Sequence, residues 1–136
     1  MEKIEFRAWH KKYKYMARVA GINFNKKRIN LNGADIGSFE DIELMQWTGL
    51  RDNTRTEEYP KGKKIFVGDI VQINNDYDIY GKNAGEKYEV YFNAGGFRLK
   101  PKYDVHKRGD RGFWLDDGND VVVLGNIYEN KELLNE

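Results

Sequence analysis

Residues able to do chemistry are few in this chain, and they do not form a recognisable catalytic set. Ser38 is the only serine, and it lies in a Gly-Ser pair without the glycine pattern that exposes a nucleophilic serine. His10 and His106 have no carboxylate or second histidine at metal-ligand spacing, so we expect both to be surface residues. The absence of cysteine excludes disulfides and thiol chemistry. We therefore predict a protein that is not an enzyme and that holds neither a metal nor a cofactor.

Two groups of carboxylates leave a hydrolase or metal enzyme open as a minor alternative. Asp76 and Asp78 alternate like the first half of a calcium loop, but Gly85 stands where that loop needs a bidentate glutamate. Asp116 and Asp120 flank an Asp-Gly pair typical of a type I′ hairpin turn, which explains them without a metal.

Basic and aromatic residues are interleaved between residues 97 and 114. Six Lys or Arg and two Asp between residues 98 and 111 give this stretch a net charge of +4. Rings on a sheet flanked by cations can stack bases and hold phosphates. However, Phe97 and Leu99 alternate with Arg98 and Lys100, which favours rings facing a core and charges facing water. The overall net charge is only +1, so nucleic-acid binding is possible but not favoured. The candidate contact residues are Arg98, Lys100, Lys102, Lys107, Arg108, Arg111 and Trp114.

Short segments of period-two alternation must position these residues, because no helical pattern exceeds ten residues. They predict a mainly-β fold, a small barrel or sandwich of about eight or nine short strands with a short C-terminal helix after Asn130. Seven Phe, nine Tyr and three Trp predict a core of rings and β-branched residues. We expect a single domain over residues 1–136, with a possible division into 1–50 and 65–136 and a possible SH3-like barrel element around 65–124.

The strongest local signal is the strand–turn–strand segment Ile65–Ile73. Gly68 can adopt a positive φ at no steric cost, and the Asp69 side chain can accept a hydrogen bond from nearby backbone. The preceding stretch, residues 51–64, has eight charged residues in fourteen and is a candidate mobile loop.

Charge is unevenly distributed along the chain. Residues 1–30 have a net charge of +7, and residues 112–136 have a net charge of −5. This asymmetry indicates either an anionic partner for the basic end or contact between the two ends, within one chain or between subunits. No signal peptide is visible, and the longest apolar run, Val121–Leu124, is far too short for a membrane span. We therefore expect a cytoplasmic protein without membrane contact.

Four blocks in order resemble the YopX family, small proteins encoded in bacteriophages and prophages. They are Lys3–Trp9, Leu44–Asp52, Ile65–Val71 and Val123–Asn130 with Leu133 and Leu134. The stretch from Asp52 to Lys64 is longer than the compact turn usual there in the family. The resemblance implies a mainly-β fold and a phage context, and it implies no activity, because the family has no established biochemical function.

The positions that recur in the family are residue types that a β-fold needs for its core and turns, and we interpret them as structural. They are Phe6, Trp9, Trp47, Gly49, Gly68, Asp69, Gly125 and Asn126. The leading hypothesis is a non-enzymatic phage accessory protein in the host bacterial cell that binds an unknown macromolecular partner and forms a homo-oligomer. The alternative is a nucleic-acid-binding small β-barrel that uses the 97–114 face.

Overall fold

A computed structural model describes residues 4–31, 36–73, 87–93, 95–100, 113–115 and 120–135. The described part is mainly β, as predicted, with eleven strands and one short 3-10 helix, η1 (Lys131–Asn135). The strands are β1 (Phe6–His10), β2 (Tyr15–Asn23), β3 (Arg28–Leu31), β4 (Ile36–Ser38), β5 (Ile42–Arg51), β6 (Lys64–Phe66), β7 (Asp69–Ile73), β8 (Lys87–Asn93), β9 (Gly96–Lys100), β10 (Phe113–Trp114) and β11 (Val121–Asn126). The chain forms two compact units, Met1–Trp47 and Thr48–Glu136.

In the first unit, antiparallel strands follow the order β4-β3-β2-β1-β5. The long strand β2 pairs with two different strands along its length. Its first residues pair with β1, from His10 opposite Tyr15 to Arg7 opposite Arg18, and its last residues pair with β3. The register shifts between Val19 and Gly21, where the two pairings meet. A bulge of this kind bends a strand, so β2 turns away from β1 beyond Arg18.

The core of the first unit follows from alternation along its strands. In β3, Ile29 and Leu31 are buried while Arg28 and Asn30 are exposed, as the period of two requires. Ala8 and Ile42 complete the buried cluster, with half-buried side chains of β2 and β5 packed against it.

His10 is buried in this unit, so the prediction of a surface position is wrong for this histidine. Its ring stacks on Tyr15, its partner on β2, with 5.3 Å between ring centroids, and Nδ1 accepts a hydrogen bond from Tyr13 N at 3.2 Å. The prediction rested on the adjacent residues Lys11 and Lys12, whose charges indicate a solvent-exposed segment. The His10 side chain is instead buried by its neighbour on the adjacent strand. His106 lies outside the described residues.

The second unit contains a five-stranded antiparallel sheet of order β10-β9-β8-β7-β11, and β6 neighbours β5. The buried cluster takes residues from one face of this sheet and is rich in β-branched side chains. It comprises Ile65, Val71, Ile73, Tyr88, Val90, Leu99, Leu115 and Val121. On β9, Phe97 and Leu99 pack with the cluster, so Arg98 and Lys100 belong to the opposite face.

Across the described strands both sheets are open, so neither forms a closed barrel. The predicted C-terminal helix is the 3-10 element η1, which lies against β8 and has no fully buried residue. Within the described residues there is no helix of the length and apolar character that crossing a membrane requires.

Candidate functional site

Trp114 lies flat on the outer face of the second unit's sheet. Register places Tyr91, Arg98 and Trp114 side by side on β8, β9 and β10. The Arg98 guanidinium carbon is 3.7 Å from the centroid of the Trp114 ring, a cation–π contact. Next to Arg98 on this face is Gly96, where an added Cβ would overlap Trp114 Cζ3, so the ring rests on bare backbone. Trp114 is nevertheless 54% exposed, so its ring is held in place by these contacts and still offers surface to solvent.

Arg98 acts as the support of this ring. It is only 8% exposed, and its Nε donates to the backbone oxygen of Asn93 at 3.1 Å. Lys100 is exposed two residues along the same strand, at a spacing of about 7 Å. Of the predicted contact residues, the structure therefore brings Arg98 and Trp114 into direct contact and leaves Lys100 open to solvent. The other four, Lys102, Lys107, Arg108 and Arg111, lie outside the described residues.

A second exposed ring stands at the end of the β8–β9 hairpin. Phe92 makes an edge-to-face contact with Phe97, with 5.4 Å between ring centroids, while most of its own surface stays in solvent. Phe97 packs inward against the core cluster. The sequence analysis did not single out Phe92. The signal in the sequence was its position directly before the Asn-Ala-Gly-Gly turn. At the end of a strand, the alternation of side chains does not ensure that an apolar residue is buried.

Asp52 is a buried carboxylate that sequence reasoning also missed. Oδ1 accepts from Thr54 N at 2.9 Å and Lys63 N at 2.7 Å. Oδ2 accepts from Val123 N at 2.8 Å and Thr54 Oγ1 at 2.9 Å. Burial acts to raise the pKa of Asp52, but these hydrogen bonds outweigh it and hold the pKa below its ordinary value of 3.8. The carboxylate is thus a charged structural hub rather than a proton donor.

The Asp52 hub joins the two ends of the charged loop, residues 51–64. The hub also covers the outer edge of β11, which is the edge facing away from β7. Asp52 N donates to Lys63 O at 2.8 Å, which joins the two ends of the loop. Asn53 N donates to Val121 O at 2.9 Å, so Val121 and Val123 both have partners on the side away from β7. The Asn53 side chain also bonds to the carboxylate of Asp120.

The Gly68-Asp69 turn joins β6 to β7. Gly68 has a φ of 91°, in the region that favours glycine. The buried Asp69 carboxylate accepts from Phe66 N at 2.8 Å across the turn. Gly68 N donates to Val90 O, and Gly68 O accepts from Ile127 N, so the turn also ties β8 and the end of β11 together.

The Gly125-Asn126 pair forms a second polar turn. Asn126 Oδ1 accepts from Tyr128 N at 3.0 Å and Glu129 N at 2.8 Å. The side chain of Asn130 accepts from Asn126 N at 3.1 Å, so it bonds back to β11. An added Cβ at Gly125 would overlap Asn130 Oδ1, which explains glycine at this position.

Comparison with known proteins identifies the family of this chain. The family described as "YopX protein" matches residues 5–135. The chain belongs to the YopX family. A solved structure similar to this YopX chain is that of protein EF1440 from Enterococcus faecalis, with a TM-score of 0.59 and 24% sequence identity. The match covers 96% of this chain and 97% of that chain. At this identity the likeness shows the fold alone. No functionally curated protein matches the chain.

The predicted carboxylate groups of this YopX chain fall mainly in stretches that are not described. Asp76, Asp78 and Asp116 lie outside the described residues, whereas Asp120 bonds to Asn53. Within the described ranges no three His, Asp or Glu side chains are close enough together to hold a metal ion.

Proposed function

We propose that this YopX chain is a non-enzymatic accessory protein of a bacteriophage or prophage that binds another macromolecule in the host cytoplasm and self-associates. The observation that carries the proposal is the exposed Trp114 ring, held in place by Arg98 and Gly96. Family membership supports the phage context, because the resemblance implies it.

An exposed, held tryptophan is well suited to binding. Tryptophan offers a large apolar area together with an N–H donor, and it is enriched among residues that dominate interface energies. A ring already fixed by the Arg98 contact loses little further freedom on binding, which lowers the entropic cost of association. The exposed Phe92 supplies a second ring in the same unit.

Self-association is tested by size-exclusion chromatography with light scattering over a wide range of protein concentrations. The expected result is an oligomer whose mass falls for Trp114→Ala or Phe92→Ser. Phe24→Ser is the matched control, because it removes an even more exposed ring from the first unit. A strict monomer at high concentration rejects self-association. Partner binding is tested separately, by pull-down from lysogenic host cells with wild type and Trp114→Ala as baits.

Nucleic-acid binding through the 97–114 face is the second candidate. It is favoured by the geometry of Trp114, whose ring has a cation on one side and open surface for a stacked base, with the exposed Lys100 two residues beyond Arg98 on β9. Single-stranded and double-stranded oligonucleotides are titrated while tryptophan fluorescence is followed. Trp114 is the exposed member of the three tryptophans, since Trp9 and Trp47 are buried, so quenching by a stacked base reports on it.

The titration separates stacking from charge. Trp114→Phe should retain part of the affinity, Trp114→Ala should lose it, and Lys100→Ala should reduce the salt dependence. No binding at about 50 mM salt rejects this candidate, because phosphate contacts are strong at low ionic strength.

A further inference from the structure

The first unit contains a groove where two neighbouring strands separate. Pairing between β1 and β2 stops at Arg7 opposite Arg18. One residue before Arg7, Phe6 pairs with β5, and beyond Arg18 the strand β2 pairs with β3. Within the described residues, the part of β2 beyond Arg18 therefore pairs with a strand on one side only. The bulge between Val19 and Gly21 accounts for the separation, because it bends β2 away from β1.

The groove between residues 4–6 and 18–22 has a volume of about 370 Å³. The exposed surface of the groove is mainly polar, and the large apolar side chains in its lining are Ile4, which is 55% exposed, and the half-buried Phe6, Val19 and Ile22. Gly21 adds backbone without a side chain, and an added Cβ there would make only ordinary contact with Asn30. The groove thus combines a mainly polar surface and a few apolar side chains with the side of β2 that pairs with no strand among the described residues.

We infer that this groove binds an extended acidic peptide segment of a protein partner, which adds as a strand to β2. A strand edge offers backbone N–H and C=O groups at the repeat of another extended chain, and its side-chain spacing selects alternate apolar residues. A stacked nucleic acid does not match this repeat. The inference deepens the proposed macromolecular binding and rests on it, because it names the chemistry of the partner.

The acidic character follows from charge. Residues 4–31 contain eight Lys or Arg and a single acidic residue, Glu5. At the groove itself, the Arg18 side chain is 77% exposed, whereas Glu5, 4.0 Å away from it, is 23% exposed. The charge presented to a partner is therefore mainly the Arg18 cation, which a peptide carboxylate complements.

The test uses fluorescein-labelled heptapeptides that alternate Glu with Val, Leu or Phe, measured by fluorescence anisotropy with the full chain. Chemical-shift changes should centre on the amides of residues 19–22. Ala20→Glu should weaken binding about tenfold, because it places a carboxylate in the groove at an exposed position. Ala20→Lys should retain or increase affinity. Phe24→Glu is the matched control, because it adds the same charge to the same unit outside the groove lining and should change affinity little.

Backbone pairing is tested with peptides N-methylated at alternate residues, which keep their side chains but lose donors. Their binding should weaken about tenfold or more. Equal affinity for methylated and unmethylated peptides, or displacement by an oligonucleotide of equal charge, overturns strand addition. Absence of binding by the whole panel also overturns it. If the pull-down still captures a partner in that case, the proposed function stands and the groove assignment fails.

Discussion

Replacing Asp52 with Asn changes one carboxylate oxygen of the hub into an amide that donates hydrogen bonds. The wild-type carboxylate accepts from three backbone N–H groups and one hydroxyl. In its best orientation, Asn keeps its oxygen toward Thr54 N and Lys63 N, and the Thr54 hydroxyl can rotate to accept from the amide. Val123 N then faces a donor and loses its partner.

The cost follows from that orphaned group. A buried N–H without an acceptor costs about 1–3 kcal/mol, and the remaining bonds weaken because the acceptor is no longer charged. We therefore expect Asp52→Asn to lower the free energy of unfolding by about 2–4 kcal/mol at pH 7. Asp41→Asn is the matched control, because Asp41 is exposed and accepts from the Ser38 hydroxyl, and it should change stability by less than about 0.5 kcal/mol.

The effect should depend on pH in a defined direction. The pKa of Asp52 is held below 3.8 in the folded state, so its contribution to stability is complete above 3.8 and disappears as the pH falls through the folded value. The difference in the free energy of unfolding between wild type and Asp52→Asn should therefore be constant between neutral pH and about pH 5. It should become smaller in more acidic solution.

Urea unfolding followed by circular dichroism gives the stabilities, and amide exchange at Val123 gives the local readout. Asp52→Asn should speed exchange at Val123 beyond the change expected from global stability. A loss below about 0.5 kcal/mol, or a difference that does not vary between pH 7 and acid, would refute the hub assignment.

Three glycine substitutions test other contacts. Gly68→Val should destabilise the chain by about 1 kcal/mol or more, because valine is strained at the positive φ there; an unchanged melting temperature contradicts the turn assignment. Gly96→Ala should push the Trp114 ring off its support, seen as a change in tryptophan fluorescence, and an unaltered spectrum argues against the contact. Gly125→Ala should destabilise the chain through overlap with Asn130 Oδ1, and Asn130→Gly in the same chain should recover part of the loss, as measured by thermal unfolding.

The sequence predicted what depends on neighbours along the chain. Alternation identified the mainly-β class and the inward direction of Phe97 and Leu99, because a strand's side-chain period is local. It could not identify the hub of Asp52, because Val123 is 71 residues away and reaches it through tertiary structure. The burial of His10 escaped prediction for the same reason, since the ring that covers it is on the next strand.

The candidate site was predictable in composition and not in arrangement. The interleaving of rings and cations drew attention to Arg98 and Trp114. It did not reveal that the cation supports the ring, because that contact needs the register between β9 and β10.

The cover over the outer edge of β11 has a consequence for assembly. An open strand edge invites another chain to continue the sheet, and proteins commonly block such edges. Here the loop residues Asp52 and Asn53 occupy the positions at Val121 and Val123 where an incoming strand would bond. Growth of the sheet past β11 therefore first requires the carboxylate to release its amide, so any oligomer built from the folded chain must use surfaces other than this edge.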